Sequence, residues 1–201
     1  AGAFDAYGTD SGQVRFFRWS GAGWGQIGAD INGETAGDRL GSSVALSSDG
    51  NVLAVGIRDR NTVGTFAGQV RVFVWTGGAW VQRGAALGGE ANLDAFGDRS
   101  SLAIDLSADG QVLAVGARRN SPFTGGQTQN SAGHTRIYVW TGTMWSQIGN
   151  DINGEVAGDN SGWAVSLSAD GWTLATSDVQ HAGTGINAGR VRVFNLIAVP
   201  P

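Results

Sequence analysis

Apolar positions along the chain fall in short, β-branched runs punctuated by turn residues, the pattern of strands rather than helices. From Gly41 the pattern predicts strand A over Ser42 to Ser47, a hairpin turn at Ser48-Asp49-Gly50, and strand B over Asn51 to Gly56. The glycine of that turn supplies a positive φ. After an irregular loop, strand C is predicted over Gln69 to Trp75, Thr76-Gly77-Gly78-Ala79 reverses the chain, and strand D runs from Trp80 to Leu87. Val70, Val72 and Val74 alternate with Phe73 and Trp75, so both faces of the sheet are apolar and each needs a neighbour. Four antiparallel strands sandwiched between similar sheets make a propeller blade.

The pattern repeats. GDRLGSSVALSSDGNVLAVG from Gly37 superposes on GDRSSLAIDLSADGQVLAVG from Gly97 and GDNSGWAVSLSADGWTLATS from Gly158, with starts 60 and 61 residues apart. Between them lie GQVRFFRWSGAGWGQIGADINGE from Gly12, GQVRVFVWTGGAWVQRGAALGGE from Gly68 and GHTRIYVWTGTMWSQIGNDINGE from Gly133, with a truncated copy, GRVRVFNL, from Gly189. The predicted organisation is all-β, with repeats of about 60 residues covering the whole length. Residues 1–36 form a partial blade (the end of strand B, then C and D), 37–92 and 93–157 form blades, and 158–201 supply strands A, B and C. Closing this set on itself would leave two C strands competing for one place, and three blades fall below the usual ring of about 4 to 8. The expectation is therefore a part of a larger propeller, or copies that cover one another's edges.

Composition narrows the chemistry. Of the 201 residues 34 are glycine, without the Gly-X-Y period of collagen, which means many tight turns. The 13 basic residues are all arginine, 14 of the 17 acids are aspartate, and the net charge is −4, so no basic nucleic-acid footprint is present. Without lysine there is no side-chain Schiff base, and without cysteine there is no thiol nucleophile, disulfide or thiolate metal site. No apolar run approaches the ~20 residues needed to cross a bilayer as a helix, so membrane insertion is not expected.

LGSSVALSSDGNVLAVG and AGQVRVFVW resemble the FG-GAP repeats of the integrin-alpha N-terminal β-propeller, in which a Phe-Gly-x-Ser start, an acidic turn and a Val-Gly-Ala-Pro segment recur at about this spacing. The W-[ST]-G-x-x-W hairpin and the QIG-x-DI-x-GE string resemble a tryptophan-rich branch of large secreted or surface proteins. The resemblance covers essentially the whole chain and implies blade architecture and an extracellular or cell-surface setting. It implies no particular function, because propellers host binding, adhesion and catalysis alike. Integrin-type repeats often carry a calcium loop between strands A and B. Aligned on Asp49-Gly50, its other ligand positions hold Ala45, Ser47 and Leu53, and only Asp105 of the next repeat supplies a further carboxylate. An Asp-Gly turn without metal is the expectation, and no cofactor is called for.

Four sets of residues invite a functional reading. Trp19/Trp24, Trp75/Trp80 and Trp140/Trp145 flank four-residue turns and face one another across a hairpin, an arrangement suited to sugar stacking or to cross-strand packing. Arg15, Arg71, Arg136 and Arg192 hold the same place in every strand C. They would either bind an anionic polymer or lock blades by pairing with Asp38, Asp98 and Asp159 of the Gly-Asp loops, and recurrence with one period favours locking. Glu34, Glu90 and Glu155 recur in a Gly-Glu turn, and His134 and His181 form no metal or triad signature. The B–C loops vary in length and content, so their residues are the candidate binding surface: Tyr7; Arg58, Arg60 and Phe66; Arg118, Arg119 and Phe123; and His181. The combined expectation is a noncatalytic, extracellular structural or adhesive module. Its partners would be further blades of the same polypeptide or other copies, with a glycan or extracellular protein as a further ligand class and a lectin-like propeller as the alternative.

Overall fold

The computed structural model describes residues 2–3, 8–59, 67–89, 103–120, 123–124, 127–128, 131–183 and 185–196. Their regular structure is antiparallel β, with no helix among them. The first sheet holds β1 (Gly2–Ala3), β2 (Gln13–Val14), a hairpin of β3 (Phe17–Trp19) with β4 (Trp24–Gln26), and β5 (Ile31–Asn32), in the order β1-β2-β5. The second holds β6 (Leu40–Leu46), β7 (Val52–Ile57), β8 (Gln69–Trp75), β9 (Trp80–Gln82) and β10 (Leu87–Gly88); β6, β7 and β8 pair in sequence, and β9 and β10 both pair β8. The third repeats this arrangement with β11 (Ile104–Leu106), β12 (Val112–Ala117), a separate hairpin of β13 (Phe123–Thr124) and β14 (Gln127–Thr128), then β15 (His134–Trp140), β16 (Trp145–Gln147) and β17 (Ile152–Asn153). The fourth is β18 (Ser161–Leu167), β19 (Thr173–Asp178) and β20 (Arg190–Asn195). These are propeller blades, stacked in chain order.

Each junction between sheets is filled by apolar side chains. Val14, Phe16, Leu40, Leu53, Val55 and Phe73 pack between the first and second sheets. Val52, Val70, Val72, Ile104, Leu113, Val115 and Trp145 pack between the second and third, and Val112, Ala114, Ile137, Val165 and Leu174 between the third and fourth. Because β7 and β12 are buried on both faces, every residue of VLAVGI and VLAVGA is buried, and each fully buried Leu or Val contributes about 2 kcal/mol.

Two details depart from the expected strands. The fourth strand of the repeat is broken in two, because Gly84 takes φ +79 and the Trp140 ring of the next sheet lies where a Cβ would stand, 2.8 Å from it. The first strand begins at Leu40, earlier than Ser42, with a register shift against β7 between Leu40 and Val44 that lets Leu40 bury itself opposite Ile57. Junctions are also tied by backbone: the Leu40 N–H donates to the Ser11 carbonyl at 3.1 Å and the Ser161 N–H to that of Ala132 at 2.8 Å. Only glycine fits beside these bonds, since a Cβ on Gly12 or Gly133 would lie 2.2 Å from the Leu40 or Ser161 carbonyl oxygen.

Candidate functional site

The loops after β7, β12 and β19 sit beside the loops that enter β6 and β18, on one face. Arg39, with φ 53, reaches Asp59 of the loop after β7 at 2.7 Å and Asp10 of the loop before β2 at 3.2 Å. Its counterpart Asn160 donates from its side-chain amide to the Gln180 side-chain oxygen at 2.5 Å, so an ion pair in one junction becomes an amide pair in another. Arg39 was not singled out in the sequence. The signal that finds it is the joint change of Arg39 and Asp59 to Asn160 and Gln180 between aligned repeats.

The arginine row bridges strands and sheets, but on carboxylates other than those expected. Asp38 accepts the N–H groups of Glu34 and Thr35 at 3.0 and 2.9 Å, and Asp159 those of Glu155 and Val156 at 3.0 and 3.1 Å. Both aspartates thus close their own turns. Arg71 instead grips Glu34, in the loop leaving the first sheet, through two hydrogen bonds of 2.5 and 2.9 Å, and Asp38 adds only longer-range attraction. Arg136 makes the same bidentate contact with Asp151 at 2.8 Å, a position at which the second sheet has Ala86. Arg192 meets Asp178 at 2.7 Å and also donates to the Asn153 carbonyl and the Ser161 hydroxyl. Arg15 is exposed and has no carboxylate partner among the described residues, and Asp98 lies outside them.

Electrostatics follows from these contacts. Asp178 is fully buried; burial pushes its carboxyl up, but hydrogen bonds from Arg192, Ser161 and Arg190 outweigh burial and hold it below the ordinary range. The Glu34 and Glu155 carboxylates raise Arg71 and Arg190 respectively. Burial, with repulsion from Arg136, pushes His134 down to about 4 against the attraction of Asp151. In the Asp-Gly turns, Asp49, Asp109 and Asp170 each accept from the Ser hydroxyl two residues earlier and the N–H two residues later. Among the described residues no three His, Asp or Glu side chains converge as a cation would need.

The expected loop surface is only partly within the described residues. Tyr7, Arg60 and Phe66 lie outside them, as does the side chain of Phe123, whose backbone forms β13. Arg58 pairs with Asp59 at 3.3 Å, and Arg118 stacks over Trp163 of the next sheet at 4.4 Å. Arg119 is exposed, and His181 Nδ1 lies 3.1 Å from Asp159 Oδ1. Each tryptophan pair is tilted with centroids 5.5 Å apart. Trp75/Trp80 close over Gly28 of the preceding sheet and Trp140/Trp145 over Gly84, where Arg83 covers Trp140 at 4.6 Å and the Trp145 indole N–H donates to the Arg83 carbonyl at 3.0 Å. Trp19 and Trp24 stand 53% and 69% exposed. A cavity of about 300 Å³ lies between the first and second sheets, lined by Arg15, Phe16, Val44, Leu46 and Leu53 among others.

No protein-family model matches the chain, and no curated protein matches it in sequence. Among solved structures it is similar to the tricorn protease, with 14% identity and a TM-score of 0.47, over 94% of this chain and 17% of that one. It is also similar to TolB from Acinetobacter baumannii, with 14% identity and a TM-score of 0.27, over 93% of this chain and 53% of that one. The chain thus spans a small part of the first protein and about half of the second. At these identities and scores neither protein's activity transfers.

Proposed function

We propose that this chain is a noncatalytic structural or adhesive interaction module of an extracellular or cell-surface protein, built of FG-GAP-like propeller repeats and completed by further blades or other copies. The observation that carries the reading is how the recurrent side chains are used. Arg71, Arg136 and Arg192, Asp38 and Asp159, and two tryptophan pairs are engaged in turns and junctions, while the outer faces of the terminal sheets keep large apolar side chains exposed. Val191 and Val193 of β20 are each 65% exposed, whereas their counterparts Val70 and Val72 in β8 are buried. A surface of that kind recognises protein.

A second reading, a glycan-binding propeller, has its own support in the exposed Trp19/Trp24 pair, whose ring faces would suit sugar stacking. One experiment separates the two: beads coated with the chain are scored for cohesion, and the same protein is applied to a glycan array. The interaction module predicts cohesion that survives Trp19→Ala and Trp24→Ala with no specific glycan retained. Glycan retention abolished by those substitutions would transfer the assignment to the lectin, and polysaccharide cleavage would overturn the noncatalytic reading.

A further inference from the structure

In the second and third sheets the third strand is paired along its length with the second: Gln69 to Val74 against β7, and His134 to Val139 against β12. In the first sheet the equivalent pairing comprises Gly2 with Val14 and Ala3 with Gln13, and beyond Val14 that edge meets no strand among the described residues. The side chains beneath it differ accordingly. Val165 of β18 is buried against Val112 and Ala114 of β12, but its counterpart Val44 is 47% exposed, and Leu46, the counterpart of partly buried Leu167, is 53% exposed. The 300 Å³ cavity lies at this spot, between Arg15 and Phe16 on one wall and Val44, Leu46 and Leu53 on the other.

The Asp-Gly turns carry an independent mark of the same deficit. A Cβ on Gly110 would meet Val52 of the preceding sheet at 2.6 Å, and one on Gly171 would meet Val112 at 2.7 Å, so each of these glycines is the seat of a valine from the neighbouring second strand. Gly50 is the third member of the set, with the same left-handed backbone, and nothing among the described residues lies within 4 Å of the corresponding point. The turns are also joined by backbone, Ser48 N–H to the Ala108 carbonyl at 2.9 Å and Ala108 N–H to that of Ala169 at 2.8 Å. Ser48 presents its own carbonyl at the equivalent position, on the side of the cavity.

We infer that the groove between the first and second sheets is a strand-acceptor site whose ligand is an extended segment of the repeat's own Asp-Gly-x-Val-x-Ala-x-Gly type. This rests on the reading of the chain as an interaction module and names the partner of that surface. The segment adds antiparallel to the edge of Arg15 to Phe17, its valine seats over Gly50, and its alanine covers Val44 and Leu46. Main-chain hydrogen bonds supply affinity and the alternate side chains supply specificity. The small alanine matters, because Ala114 is the residue that leaves room for Val165 in the junction where the strand is present.

The test uses the full chain and a labelled synthetic peptide with the sequence of residues 107–117, SADGQVLAVGA, followed by fluorescence anisotropy and by hydrogen exchange. Saturable binding is expected, with new protection of the Arg15 to Phe17 amides. Affinity should fall at least tenfold with the peptide variant Val112→Asp and with the protein variants Val44→Asp or Leu46→Asp, which alter exposed side chains and leave the fold intact by circular dichroism. No saturable binding, binding indifferent to these substitutions, or protection at β20 instead would overturn the assignment. Retained bead cohesion in that event would leave the interaction module standing and remove only this site.

Discussion

Asp178 has no exposed surface and lies between two guanidinium groups, Arg190 and Arg192, each at 2.7 Å. Taking one partner from a buried ion pair leaves a charge with poor solvation, so Arg192→Leu is expected to cost about 3 kcal/mol in urea unfolding. Glu34, bonded to Arg71 but 53% exposed, is a contrasting case: Glu34→Gln should cost less than about 1 kcal/mol. Equal losses would contradict this account of where the ionic stabilisation resides. His134 supplies a pH dependence. Its ring is neutral in the fold, with a value pushed down to about 4 from an ordinary 6.5, so unfolding takes up a proton between those limits. The contribution is intact above pH 6.5 and is lost progressively as pH falls to about 4, reaching about 3 kcal/mol. His134→Gln, which installs the residue found at Gln13 and Gln69, is expected to flatten stability over that window; parallel curves for the two proteins would refute the argument.

Between elements, the backbone of one sheet is laid directly on the next, and glycine sets how close they come. Gly133 and Gly142 both have positive φ, but a Cβ on Gly133 would lie 2.2 Å from the Ser161 carbonyl oxygen, while at Gly142 nothing lies within 4 Å. Gly142→Ala should therefore cost about 1 kcal/mol, from the left-handed backbone alone. Gly133→Ala must also push β15 and β18 apart, for a loss of about 3 kcal/mol or more. Thermal melts of the two variants compare these directly. The same geometry explains why the sequence spacing of the tryptophan pairs is kept: each described junction closes a tilted pair over a glycine of the preceding sheet, Gly28 or Gly84, so the pair serves two sheets at once.

For the whole molecule, the consequence of stacking is that terminal faces have no neighbour of their own. Val191 and Val193 at one end and Val44 and Leu46 near the other are apolar and more than 45% exposed. Concentration-dependent association is the expected behaviour, and Val191→Thr with Val193→Thr should reduce it while leaving the melting temperature within a few degrees. Sedimentation velocity over a range of concentrations is the measurement. A single species of monomer mass throughout would contradict the expectation.

What the sequence determined by itself is what depends on periodicity: the four-strand repeat, the Asp-Gly turns, and the burial of both faces of VLAVG, because alternation and turn residues act over a few neighbours in the chain. The identity of the ionic partners was beyond it. Arg71, Arg136 and Arg192 share one position, yet one takes Glu34, one Asp151 and one Asp178, according to which carboxylates each local surrounding offers. The aspartates that share their period, Asp38 and Asp159, are held by backbone N–H groups three and four residues earlier, a local bond that forms with the turn itself. The break in the fourth strand and the open seat at Gly50 were equally hidden, since each depends on a neighbouring sheet: Trp140 over Gly84 in one case, and a second strand with no valine to offer in the other. Local pattern selects the strand and its turn; only contact across the junction decides which side chain meets which, because those partners lie tens of residues apart in the chain.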